Sequence, residues 1–172
     1  MNILAVKKNK HSTAALATRK ESPSEKRKEI LVPIDFSSAS VSALRHTRKL
    51  AAGEKAHVIL LNVVEERGSF RTLDVVGRQR VRCAQRAGRL QELANRELGP
   101  EIAADIEVRE GKPSVEIARL AGRRHVDLIV VGLHRHHGLW EWAHGHTASK
   151  LLKKARCPVL MLNEDRSQLK PV

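Results

Sequence analysis

Residues 126–149 read VDLIVVGLHRHHGLWEWAHGHTAS. The run Leu128-Ile129-Val130-Val131 is apolar and mostly β-branched, the pattern of a strand buried on both faces. Gly132 stops that strand, and a loop carrying glycine and histidine follows. Gly145 then precedes a helical pattern with Ala148, Leu151, Leu152 and Ala155 on one face. Strand, glycine loop and helix start together are the physical recipe for an anion site. Glycine lets the backbone approach a phosphate closely, and the first helical N–H groups point at it unpaired. Many βα turns need a glycine for steric reasons only, so both readings stand on this stretch.

Outward from it, the same alternation recurs. Ile30-Leu31-Val32-Pro33-Ile34-Asp35 is a short buried-strand pattern, and Ser37 or Ser38 can cap the helix that follows. Val41, Ala43, Leu44, Leu50 and Ala51 give that helix its inner face, and Gly53 is expected to end it. Val58 to Val64 is a second strand, apolar on both faces. A polar loop through Gly68 leads to a long helix, roughly Asp74 to Leu98, with Cys83, Ala87, Leu90 and Ala94 at helical spacing. The third strand, Ala103 to Val108, alternates Ile106 and Val108 against Asp105 and Glu107, as suits an edge. Pro113 opens a helix with Ile117, Leu120 and Ala121 inward, and Pro158 to Leu162 is a fifth strand.

Five strands alternate with four helices, with no hairpin signal between strands. This predicts a parallel, doubly wound α/β sheet with helices on both faces. Ligands in such sheets bind beyond the carboxyl ends of the strands, where the winding reverses. Asp35 ends the first strand and Gly132 the fourth. If those strands are neighbours, both residues face one crevice.

Composition narrows the function classes. A chain of 172 residues suits one domain, and with only 2% aromatics its core must be Val, Leu, Ile and Ala. No apolar run reaches ~18 residues, and no signal-peptide segment opens the chain, which together predict a cytoplasmic protein without membrane contact. Cys83 and Cys157 lack metal-ligand spacing and read as free thiols. The net charge is +13, of which +5 falls in residues 1–29. Residues 1–28 read as a basic, disordered tail, 29–164 as the folded domain and 165–172 as a C-terminal tail. Such a surface can attract nucleic acid without specificity, although no aromatic interleaving marks a dedicated site.

His134, His136, His137, His144 and His146 crowd one loop, but their spacing imitates no metal motif, and a solvated loop is the plainer reading. Trp140 and Trp142 read as closing that loop over the core or a dimer contact. No Ser-His-Asp order or Gly-Lys-Ser/Thr phosphate loop is present, so catalysis has little footing beyond slow ATP hydrolysis.

Two stretches resemble universal stress protein domains. Ile30 to Ser37 resembles their opening, and Ile129-Val130-Val131-Gly132, Gly138-Leu139, Gly145, Leu151-Leu152 and Cys157-Pro158-Val159-Leu160 resemble their close. The resemblance covers about residues 29–164 and implies a five-stranded parallel sheet in the order 3-2-1-4-5, and a homodimer joined through the last strand. It also implies an ATP site, with Mg2+ accompanying the nucleotide, in members that keep the loop Gly-x2-Gly-x9-Gly-Ser/Thr. Gly132 and Gly145 hold the first and third glycine positions, Arg135 stands at the second, and His146 at the Ser/Thr position, followed by Thr147. Asp35, with Pro33 in the same strand end, matches the acidic residue that approaches the adenosine, and Val63 matches the residue that meets the adenine. Arg135 is a bidentate phosphate partner by type, and His146 can donate a hydrogen bond. The expected function is a stress-response domain binding an adenine nucleotide between the first and fourth strands. The alternative is a dimeric module of the same fold that binds no nucleotide and contacts a protein partner or nucleic acid.

Overall fold

A computed structural model describes residues 4–6, 27–65, 73–133 and 146–163. Six strands and four helices follow in the order β1 (Leu4–Val6), β2 (Glu29–Pro33), α1 (Ser38–Glu54), β3 (His57–Val64), α2 (Leu73–Glu97), β4 (Ala104–Glu110), α3 (Pro113–Arg124), β5 (Leu128–Leu133), α4 (His146–Leu152) and β6 (Val159–Asn163). The sheet order is β1-β4-β3-β2-β5-β6. Strands β2 to β6 are mutually parallel and reproduce the expected 3-2-1-4-5 order. The addition is β1, which pairs antiparallel with the outer side of β4, Leu4 opposite Val108 and Val6 opposite Ile106. Three residues of a basic tail carry too little periodicity to announce a strand. The remainder of both tails, residues 1–3, 7–26 and 164–172, lies outside the described residues.

The apolar strand runs divide their side chains between two cores. Val32, Val58, Leu60, Ile106 and Val130 pack with Leu44 of α1 and Leu90 of α2 on one face. Leu31, Ile59, Leu61 and Ile129 pack with Ile117 and Leu120 of α3 and Leu151 of α4 on the other. Each fully buried aliphatic side chain stabilises the fold by roughly 1.5–3 kcal/mol relative to exposure. Ser37 caps α1 by accepting from the Ser40 N–H at 3.2 Å. The helix continues past Gly53, contrary to the expected stop, because its closing residue is Lys55. That lysine takes a left-handed φ of 50° and sends its N–H to the Ala51 carbonyl. Among the described residues no helix is long and apolar enough to cross a membrane.

Both cysteines are free. Cys83 is buried on α2 and donates to the Glu110 carboxylate at 3.3 Å. Burial first, and that hydrogen bond second, push its thiol up to about 11, which leaves it un-ionised and a poor nucleophile near neutral pH.

Candidate functional site

The winding reverses between β2 and β5. From β2 the chain moves outward through β3 to β4, then α3 carries it back across β2 to β5. The β2–β5 ladder holds only two residue pairs, Ile30 with Leu128 and Leu31 with Ile129, whereas β2 and β3 pair over five. Beyond Leu31 the two strands no longer pair. Pro33 has no N–H to give, and the Ile34 N–H goes to the Leu61 carbonyl of β3 at 2.7 Å instead. This switch point lies at the carboxyl end of the sheet, where doubly wound folds hold their ligands.

Asp35 stands exposed at this end of the sheet, one residue past Ile34. Its Oδ1 accepts from the Ser37 backbone N–H at 3.0 Å and from the Ser37 hydroxyl. The same Ser37 hydroxyl caps α1, so one short turn fixes both the carboxylate and the helix start. Phe36, between them, has a left-handed φ of 68°, a conformation that costs a non-glycine residue on the order of 1 kcal/mol. Pro33 and Val63 are half-buried at the ends of β2 and β3.

Gly132, at the end of β5, is there for space. A Cβ added to it would run into the Ala39 carbonyl carbon and oxygen, and would lie 2.7 Å from the Ser40 nitrogen. These are backbone atoms in the first turn of α1. Its φ is not in the left-handed region, where Gly99 and Gly111 lie, so steric room is what this position needs. Strand β5 thus presses directly on the start of α1, which brings Asp35, Ser37 and Gly132 to one place.

Pro33, Val63 and Gly132 lie at or near the carboxyl ends of the adjoining strands β2, β3 and β5, and Asp35 stands two residues beyond β2. His146 opens α4, and Thr147 is exposed in the same turn. Arg135, Gly145, His134, His136, His137, His144, Trp140 and Trp142 lie outside the described residues.

Sequence reading missed Asn62. Buried in β3, it donates its amide to the Ile34 carbonyl at 2.6 Å, while its Oδ1 has no hydrogen-bond partner among the described residues. An amide inside the run Val58-Ile59-Leu60-Leu61-Asn62-Val63-Val64 was the available signal. Buried polar groups need partners, and this one holds the strand end that presents Asp35.

A model of the "Universal stress protein family" matches residues 26–163 of this chain. The universal stress protein MJ0531 of Methanocaldococcus jannaschii is 28% identical over 149 residues, covering 82% of this chain and 85% of that protein. MJ0577 of the same organism is 29% identical over 159 residues, covering 81% and 97%. The solved structure of MJ0577 matches with a TM-score of 0.63 at 27% identity, covering 81% of this chain and 97% of that one. A universal stress protein family protein from Arabidopsis thaliana with AMP bound has a TM-score of 0.57 at 18% identity, covering 83% and 95%. At that identity the likeness is one of fold.

Proposed function

Because this chain belongs to the universal stress protein family, we propose that its β2–β5 crevice binds an adenine nucleotide, ATP with its Mg2+. The observation that carries the reading is the early end of the β2–β5 ladder, with an exposed carboxylate fixed at its mouth. In this proposal Pro33, Asp35 and Val63 hold the nucleoside. The Asp35 carboxylate accepts from sugar hydroxyls, and the backbone of Val63 meets the base. Gly132, Arg135, Gly145, His146 and Thr147 form the phosphate end, with the Arg135 guanidinium supplying bidentate hydrogen bonds where the family's loop has glycine. AMP in the Arabidopsis relative supports the class of ligand.

Calorimetric titration of the full chain with Mg-ATP tests this. The unmodified protein is expected to bind, and Asp35→Ala to weaken binding by about tenfold, or 1.4 kcal/mol, the scale of one hydrogen bond to a charged group. A urea melt of the variant accompanies the titration, because Asp35 also steadies the Ser37 turn. No heat of binding with millimolar Mg-ATP would end the nucleotide reading.

We also infer a homodimer through β6. This edge strand leaves Val159, Leu160, Met161 and Leu162 only half-buried, an apolar row with an unpaired outer edge among the described residues. Sedimentation equilibrium at micromolar protein is expected to return twice the 19.2 kDa chain mass. A monomer would refute it.

A further inference from the structure

The two helices on one face of the sheet leave a seam of unequal charge. Helix α2 carries six arginines and no lysine. Arg82, Arg86 and Arg89 recur at i, i+4 and i+7, so they share one side of that helix. Arg86 and Arg89 lean over the Phe36 ring, their guanidinium carbons 5.2 and 4.3 Å from its centroid, which places this side of α2 against the start of α1. Farther along, Arg45 and Arg96 both bind Glu97, and Arg48 binds Glu101. The hydrogen bond from Arg45 in particular holds the Glu97 carboxyl below its ordinary range. Arg45, Arg48 and Arg96 thus each have a carboxylate partner, Glu97 or Glu101. The surplus lies at one end, since Arg82, Arg86 and Arg89 make no ion pair among the described residues.

We propose that this arginine-rich end of the α1–α2 seam binds the phosphodiester backbone of nucleic acid, without sequence preference. Three observations favour a phosphate polyanion. The cations are all arginine, whose planar fork matches phosphate geometry bidentately. Stacking on Phe36 pre-orients two of those forks, so less side-chain freedom is lost when a ligand arrives. At 1.5 Å rise per residue the three side chains span about 10 Å along the helix, room for consecutive phosphates of one strand. A contact made to the backbone alone is sequence-blind.

The test uses the full chain and fluorescence anisotropy with a labelled 20-nucleotide oligo-uridine, titrated from 50 to 200 mM salt. The triple variant Arg82→Gln/Arg86→Gln/Arg89→Gln is compared with Arg123→Gln/Lys153→Gln/Lys154→Gln, which removes equal charge from exposed positions elsewhere. The basic N-terminal tail is the same in all samples and sets a common background. Removing three phosphate contacts is expected to weaken binding at least tenfold near 100 mM salt and to flatten the log–log salt slope by about 2. The control triple should leave the slope nearly unchanged. Arg82→Lys/Arg86→Lys/Arg89→Lys, which keeps the charge and the fold, should bind more weakly than the parent protein through loss of the guanidinium fork. Equal losses in the two Gln triples would reduce the effect to bulk charge and overturn the proposal. So would absence of binding by the parent protein, or competition by poly-glutamate of matched charge as strong as by RNA.

Discussion

Gly132→Ala is expected to destabilise the protein by about 3 kcal/mol, the upper range for forcing one extra carbon into a packed site. The atoms in its way are backbone, the Ala39 carbonyl group and the Ser40 nitrogen, and no rotamer change can clear them. Ala39 itself is buried at 1% exposure, so α1 cannot tilt outward without opening the core beneath it. Since Gly132 has no left-handed φ, alanine suffers no conformational penalty of its own, and the whole cost comes from this collision. Gly132→Val should leave no stable folded protein. Urea unfolding followed by circular dichroism reads both. A cost below about 0.5 kcal/mol for alanine would show that β5 and α1 separate freely.

That glycine shows what the sequence could and could not tell. Its position was legible, because Gly132 interrupts an apolar β-branched run at a strand end. Its reason was not, since the clash is with residues 39 and 40, some ninety positions earlier. The parallel sheet was legible for the same local cause: strands buried on both faces are nearly continuous apolar runs. Local signals also narrowed the cap of α1 to Ser37 or Ser38, of which Ser37 is the one that caps it. They placed its end too early, because Gly53 is the stronger breaker by type while Lys55 accepts the left-handed turn. The crevice depended on two strands being neighbours, which the family resemblance implied and the pairing of Ile30 with Leu128 established. The asymmetric α1–α2 seam was invisible in the net charge, which counts arginines without saying which of them have a carboxylate within reach.

Strand β4 hides its polar residues more completely. Asp105, Glu107 and Arg109 alternate with Ile106 and Val108, a pattern that reads as one apolar and one solvated face. Yet Glu107 and Arg109 are only 7% and 6% exposed, since β1 extends the sheet beyond β4 and α3 lies over this face. The Arg109 Nε and Nη2 groups donate to one Glu107 oxygen at 3.0 and 2.8 Å, and Nη1 lies 3.7 Å from Glu116. Arg119 secures the other Glu116 oxygen, and Arg124 ties Glu29 to Asp105 at 3.2 and 2.9 Å. Arg109 is the one cation of this group that is itself buried, and it stands between two buried carboxylates.

Arg109→Met is therefore expected to cost about 3–5 kcal/mol, the penalty for removing one partner from a buried ion pair. The expense lies in what stays behind. Among the described residues Glu107 would keep only Arg124, at 3.7 Å, and Glu116 only the half-exposed Arg119. The double change Arg109→Met/Glu107→Gln should cost clearly less than the sum of its parts, because it removes the stranded charge together with its partner. Urea titrations of the parent and variant proteins at pH 7 measure both costs. A penalty under about 1 kcal/mol for Arg109→Met, or a double variant as costly as the sum of its single changes, would mean that water reaches this network. Its burial beneath α3 would then contribute little to the stability of the sheet's β4 side.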